Sequence, residues 1–186
     1  MSDGVLSSLA NSTRDAVKSV VEGAGDIVGA TAGAAADAVK AALQGGEDVT
    51  GKIIEVATDV TKGAIHGLSD TTADAAMGIH GIVHGTLKGA SEVGGDLIGA
   101  TTEVVSTAVT SASDTGVDVA KAASHAVTGA IDAAKEVGGD VAGVTKAAVM
   151  GAMHGAGEIG EEAVHEVTDI LVSSVEGAKD IIDAMK

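Results

Sequence analysis

The chain has 186 residues, 45% of them hydrophobic, and contains no Pro, Cys, Phe, Tyr or Trp. Its 11 Lys and Arg residues against 27 Asp and Glu residues give a net charge of −16. The lack of Cys excludes disulfides and thiolate chemistry, and the acidic balance argues against nucleic acid or anionic membranes as partners. Since we find no signal-peptide pattern and no apolar run of membrane-spanning length, we expect a soluble, cytoplasmic protein.

Residues 1–84 carry an eleven-residue repeat, which predicts a first helical arm. A marker residue recurs every eleven positions, and two apolar or Thr residues usually follow it. Eleven residues in three helical turns give about 3.67 residues per turn, which is typical of a long helix that is straight or supercoils gently to the right. The markers are Gly4, Asp15, Asp26, Asp37, Asp48, Asp59, Asp70 and Gly81.

The Gly-rich segment 85–95 shifts this repeat by four residues, because Gly81 is followed by the next marker at Asp96. The segment is interpreted either as a register slip in a continuous helix or as the turn of a helical hairpin. Three Gly pairs divide the chain into near-quarters and leave a four-helix bundle as an alternative. The phase is unbroken across the first and third pairs, which favours long helices with at most one reversal. The pairs are Gly45–Gly46, Gly94–Gly95 and Gly138–Gly139.

Residues 96–186 continue the repeat as a second arm. The predicted fold class is therefore all-α: long amphipathic helices of eleven-residue repeats, with right-handed or straight packing in an oligomeric bundle, tube or filament. The markers of this arm are Asp96, Thr107, Asp118, Gly129, Asp140, Gly151, Glu162 and Ser173.

The apolar positions of the repeat occupy a helix face roughly 160° wide, which is broader than the seam of a dimeric coiled coil. Each helix is thus expected to contact more than one neighbour or a continuous apolar surface. The apolar stripe is also angled differently in the two arms, which favours protein–protein packing over a uniform oil surface. The predicted self-assembly face comprises Val17, Val20, Val21, Val49, Ile53, Ile54, Val60, Ile65, Leu97, Ile98, Val119 and Val141.

The chain contains 27 glycines, and each one in a helix interior costs up to about 1 kcal/mol relative to Ala. An isolated helix of this composition should be largely unfolded. Many glycines lie four residues apart, a spacing that lets two helix backbones approach closely and favours right-handed crossings. Duplication of a Gly-rich ancestral repeat is the alternative explanation. The predicted close-packing residues are Gly25, Gly29, Gly33, Gly81, Gly85, Gly89, Gly139, Gly143, Gly151 and Gly155.

The polar residues give no pattern that indicates catalysis or cofactor binding. His80 and His84 lie one helical turn apart, but nearby Asp74 and Glu92 have no ligand-like spacing to them, which favours solvated positions over a metal site. The glycine motifs lack the Gly-Lys-Ser/Thr signature of a phosphate loop. We therefore expect no enzyme, no cofactor, no metal and no catalytic residue.

The segment from Val21 to Thr31, Val-Glu-Gly-Ala-Gly-Asp-Ile-Val-Gly-Ala-Thr, resembles the eleven-residue units of synucleins. The amphipathic pattern of the whole chain, rich in Gly, Thr and Val, is similar to that of perilipin repeats. Its Ala-rich composition is similar to that of phasins, the coat proteins of polymer granules. The resemblance implies a long amphipathic helix on a lipid or granule surface. Synuclein repeats carry paired Lys residues, however, whereas this chain is acidic, so the resemblance does not extend to anionic lipids.

Two functions remain open at the level of sequence. The first is a non-enzymatic structural protein that self-assembles as a homo-oligomer through its apolar faces and glycine ladders. The alternative is an amphipathic-helix coat of a lipid droplet, storage granule or neutral membrane surface. A disordered protective chain is disfavoured because an apolar content of 45% is high for such proteins.

Overall fold

A computed structural model describes residues 2–23, 25–43, 52–71 and 74–185, with side chains from residue 8 onward. All regular structure in these ranges is helical, which confirms the all-α prediction. The helices of the described ranges are α1 (Ser2–Glu22), α2 (Ile27–Leu43), α3 (Ile53–Ser69), α4 (Ala75–Glu92), α5 (Leu97–Asp114), α6 (Val119–Val137), α7 (Val141–Ile159), α8 (Glu161–Ser174) and α9 (Ala178–Ala184).

The prediction of long helices with at most one reversal is wrong, and so is the alternative of four helices. The helices have 7 to 21 residues. Helices α3 to α7 begin 22 residues apart, at Ile53, Ala75, Leu97, Val119 and Val141. Two eleven-residue repeats therefore form one helix together with its turn. The eleven-residue repeat therefore stays in phase across these turns, because each turn is itself part of the 22-residue unit.

Left-handed glycines end three of these helices at the same repeat position. Gly94, Gly116 and Gly138 have φ values of 85°, 74° and 70°, which residues with a Cβ adopt at a cost. The N–H of the residue after each glycine donates to a carbonyl five residues earlier, for example from Gly139 to Ala134 at 2.8 Å. This is the Schellman ending of a helix, and it turns the chain back after 18 or 19 helical residues.

Aspartate residues begin four of the described helices. The carboxylates of Asp74, Asp96, Asp118 and Asp140 each accept a hydrogen bond from a backbone N–H two or three residues later, at 3.0 to 3.2 Å. Such an N-cap stabilises a helix by about 1 kcal/mol. Asp96, Asp118 and Asp140 are markers of the repeat, whereas Asp74 lies four residues after the marker Asp70.

The helices form two layers. Helices α1, α3, α5, α7 and α9 pack side by side in what we call the odd layer, and α2, α4, α6 and α8 form the even layer. Each helix also contacts the next helix in sequence, which lies in the other layer. Neighbouring helices within a layer run parallel. For example, successive turns of α4 contact successive turns of α2 in the same order along both helices. The architecture is that of a helical repeat stack.

Small aliphatic side chains fill the space between the layers. The largest fully buried side chains include Ile65, Leu68, Ile79, Ile82 and Leu87. Most core positions of α6 are Ala, so small side chains fill this part of the core. None of the described helices combines the length with the apolar character that a membrane-spanning segment requires.

The predicted segment 85–95 contains one of the reversals. Residues 85–92 belong to α4, and α5 begins at Leu97. The same kind of turn recurs after α5 and α6. The division of the chain into arms of residues 1–84 and 96–186 stays a prediction.

Candidate functional site

Glycines mark the surface through which parallel helices of one layer pair, and we call this surface the helix-pairing face. Gly81, Gly85 and Gly89 of α4 lie against the backbone of α2. A Cβ added at Gly89 would lie 3.0 Å from the carbonyl oxygen of Ala36, and one added at Gly85 would collide with the backbone of Ala32. The two backbones approach closely because these side chains are absent.

Helix α7 pairs with α5 in the same way. A Cβ at Gly155 would lie 2.8 Å from the carbonyl oxygen of Ser106, and one at Gly151 would meet the backbone of Thr102. Each predicted ladder in α4 and α7 therefore has a partner within the chain, two helices earlier.

Three further glycines belong to this surface. Gly63 and Gly67 already stood out in the sequence as glycines four residues apart, whereas Gly129 was missed. Gly63 and Gly67 of α3 lie against the backbone of α1, and Gly129 of α6 lies against His80 of α4. Gly63, Gly85, Gly129 and Gly151 are separated by 22 or 44 residues. The 22-residue spacing was thus the signal that would have found Gly129.

The remaining predicted glycines have other surroundings. A Cβ at Gly139 or Gly143 would meet the side chain of Leu97 or Ile98, respectively, at 2.8 Å. Gly29 faces only the carboxylate of its own cap, Asp26.

A Cβ added at Gly25 or Gly33 would have no atom within 4 Å, apart from the adjacent residues and the backbone of the same helix. Gly33, Asp37 and Ala41 of α2 are all exposed and lie four residues apart. This side of α2 is uncovered by any described helix, and we call it the open α2 face.

Most of the predicted apolar face is used inside the chain. Val17, Val21, Ile53, Val60 and Ile65 are buried, because the turns bring other helices of the same chain onto them. Leu97, Val119 and Val141 are half-buried. Val20, Ile54 and Ile98 are exposed. Val49 lies outside the described residues.

Ion pairs connect parallel helices along the even layer. Lys40 of α2 pairs with Glu92 of α4 at 2.5 Å, and Lys88 of α4 pairs with Glu136 of α6 at 2.5 Å. The two ion pairs occupy equivalent positions. Their lysines are 48 residues apart and their glutamates 44, because four extra residues lie between α2 and α3. Hydrogen bonds from Lys88 and His84 lower the pKa of Glu136, and the bond to Glu136 raises the pKa of Lys88.

Two histidines of α4 face two carboxylates of α6. His84 Nε2 lies 2.7 Å from Glu136 Oε2, and His80 Nε2 lies 3.5 Å from Asp132 Oδ2. His80 Nδ1 lies 3.2 Å from Thr128 Oγ1. Burial lowers the pKa of His80, an effect that Asp132 partly opposes. The sequence reasoning missed Asp132 and Glu136 because they lie 52 residues from the histidines they face.

No protein-family model matches the chain, and neither a curated protein nor a solved structure matches it. Its function is therefore inferred from geometry alone.

Proposed function

We propose that the chain is a non-enzymatic, cytoplasmic structural protein that self-assembles as a homo-oligomer into a bundle, tube or filament. The observation that carries this proposal is the open α2 face. On this face Gly33 stands as far from its cap as Gly81, through which α4 pairs with α2, and no described helix covers it. Right-handed or straight packing between copies is part of the proposal.

Equivalent positions of α2 and α4 support this assignment. Gly33 lies seven residues after the cap Asp26, as Gly81 lies seven after the cap Asp74. An added Cβ would collide with the backbone of Val28 at Gly81, whereas at Gly33 it would meet nothing within 4 Å. The open α2 face thus has room for a parallel helix at Gly33, whereas Asp37 stands at the position of Gly85.

Helix α8 carries the surface on which the open α2 face of a second copy would pack. Counting from the markers Asp26 and Glu162, Ala36 of α2 and Val172 of α8 are both ten residues on. Ala36 is 6% exposed because Gly89 of α4 covers it, whereas Val172 is 43% exposed. A second copy that lays its open α2 face on α8 would cover Val172 and continue the even layer. Burying apolar area contributes about 25 cal/mol per Å².

The alternative function, a coat on a lipid or granule surface, would require the two layers of helices to separate. The large aliphatic side chains that would adsorb to oil, such as Ile65, Leu68 and Ile79, are fully buried between the layers. Most core positions of α6 are Ala, so this helix buries little apolar area, which is the observation that favours opening on a surface. Adding oil droplets or neutral vesicles to the purified protein separates the two functions, because only a coat sediments or floats with them.

Electron microscopy and sedimentation velocity of the protein in lipid-free buffer test the proposal. The wild-type chain should form particles larger than a monomer that grow with concentration. Gly33→Leu should reduce the assembly at least tenfold in apparent affinity without loss of helix content, because the added side chain fills the open α2 face. Gly157→Leu is the matched control, since Gly157 is also exposed with nothing within 4 Å. A monomer at all concentrations, or equal assembly of both variants, would refute the proposal.

A further inference from the structure

His80, His84, Asp132 and Glu136 form two facing pairs on the outer surface of the even layer. The histidines lie one turn apart on α4, with ring centroids separated by 6.5 Å. The carboxylates lie one turn apart on α6, and each faces one imidazole Nε2. All four side chains are partly accessible, with 19% to 48% of each side chain exposed.

We propose that these four side chains bind one divalent transition-metal ion of the Zn²⁺, Co²⁺ and Ni²⁺ class between α4 and α6. The site lies away from the open α2 face, and it does not depend on the proposed self-assembly.

The hydrogen bonds around His80 determine which ring nitrogen carries the proton and which one has a free lone pair. The Thr128 hydroxyl donates to the backbone carbonyl of Ser124 at 3.0 Å or to that of His125 at 3.1 Å. Its oxygen is therefore the acceptor of the bond with His80, and Nδ1 of His80 carries the proton. In the neutral imidazole, Nε2 then presents a lone pair to the carboxylate of Asp132. Two acceptor atoms 3.5 Å apart attract a cation between them.

The spacing of these atoms fits a tetrahedral metal ion. Bonds of about 2.0–2.1 Å to nitrogen and oxygen place neighbouring ligand atoms of such an ion about 3.3–3.4 Å apart. The separation between His80 Nε2 and Asp132 Oδ2 is 3.5 Å.

The other pair completes the ligand set after a side-chain rotation. In the described ranges no three His, Asp or Glu side chains converge as they stand, because His84 Nε2 contacts Glu136 Oε2 directly at 2.7 Å. An ion bound here would replace the proton that His84 Nε2 donates to Glu136 Oε2, and both side chains would rotate toward His80 and Asp132 to share the ion. Lys88 binds Oε1 of Glu136 and leaves Oε2 toward the imidazoles, so it acts as an orienting group in the way that outer partners of metal ligands do.

The ligand types select the class of ion. Two imidazoles with carboxylate oxygens suit Zn²⁺, Co²⁺ and Ni²⁺, whereas Ca²⁺ and Mg²⁺ prefer sets made of oxygen alone. A bound ion would connect α4 to α6 and stabilise the folded chain in proportion to the logarithm of its concentration.

Calorimetric titration of the chelator-treated full-length chain with ZnCl₂ at pH 7.5 tests the site, with CoCl₂ as a spectroscopic probe. We expect one ion per chain, visible absorption bands of tetrahedral Co²⁺, and a higher thermal midpoint in the presence of Zn²⁺. His80→Ala and His84→Ala should each weaken binding at least tenfold. His165→Ala is the control, because His165 is exposed on α8, and it should bind as the wild type does.

Circular dichroism of each variant establishes that the helices persist. If a histidine variant loses helix content, Asp132→Asn replaces it, since this side chain is 48% exposed and its loss should weaken Zn²⁺ binding without unfolding. Absence of saturable binding, or binding that is equally strong in His80→Ala, His84→Ala and Asp132→Asn, would overturn the assignment.

Discussion

Helices α2 and α4 carry the same pattern of small residues four apart, yet the pattern meets different surroundings. On α4, Gly81, Gly85 and Gly89 lie against the backbone of α2. On α2, Gly33 faces open space. The spacing therefore identifies helices that pair closely, but it does not say whether the partner is two helices away in the same chain or in another copy. Substitutions at equivalent glycines separate these two cases.

Gly85→Ala should have the largest effect. The added Cβ collides with the backbone of Ala32, which cannot rotate away as a side chain would. Although Ala favours helix by about 1 kcal/mol, we expect a net loss of about 1–3 kcal/mol in the free energy of unfolding, as overpacking costs. Urea denaturation followed by circular dichroism measures it. An unchanged or higher midpoint would show that α2 and α4 do not approach as described.

Gly138→Ala should cost about 1–2 kcal/mol, because the residue at this turn has φ of 70° and a left-handed conformation penalises a Cβ. Thermal unfolding measures the loss. Gly157→Ala is the internal reference, since Gly157 lies in helix α7 with open space around it. A loss of similar size at Gly157 would contradict the assignment of Gly138 to a turn.

Gly33→Ala should stabilise the folded chain by up to about 1 kcal/mol, because Ala favours helix and nothing lies within 4 Å of the new methyl group. The opposite sign to Gly85→Ala is the expected result in the same urea experiment at low protein concentration. A loss at Gly33 would mean that α2 is covered within the chain.

The smallest effect is a pH dependence from the ion pair that joins α4 to α6. Because Lys88 and His84 lower the pKa of Glu136 from its ordinary 4.5, the unfolded chain takes up this proton at higher pH than the folded chain does. Glu136 thus contributes stability above pH 4.5, and the contribution disappears as the pH falls through the lowered folded pKa. Glu136→Gln should flatten this part of the stability profile in denaturation at pH 3 to 6. A profile identical to wild type would show that the pair does not stabilise the fold.

The periodic pattern predicted the helical class because apolar and small residues recur at helical spacing. It failed on helix length because the turn at Gly138–Gly139 occupies only three positions, residues 138 to 140, of a 22-residue unit and leaves the phase of Asp118 and Asp140 unchanged. The absence of Pro did not prevent the turns, since left-handed glycines end the helices instead.

The contacts of the candidate metal site could not be predicted from local spacing. His80 and His84 are recognisable as neighbours on one helix face, but Asp132 and Glu136 reach them only through the pairing of α4 with α6. That pairing depends on Gly129, whose missing side chain lets the two backbones approach.

The most direct test of the folded stack is a disulfide between α6 and α8. The chain has no Cys, and the hydroxyl oxygens of Ser124 and Ser174 lie 3.1 Å apart. In a continuous helix, 50 residues would separate them by about 75 Å. Under mild oxidation at high dilution, the variant with Ser124→Cys and Ser174→Cys should form a disulfide within one chain, seen as a monomer of increased mobility on a non-reducing gel. If the thiols stay reduced, or bridge only between chains, helices α6 and α8 are not neighbours and the two-layered stack is contradicted.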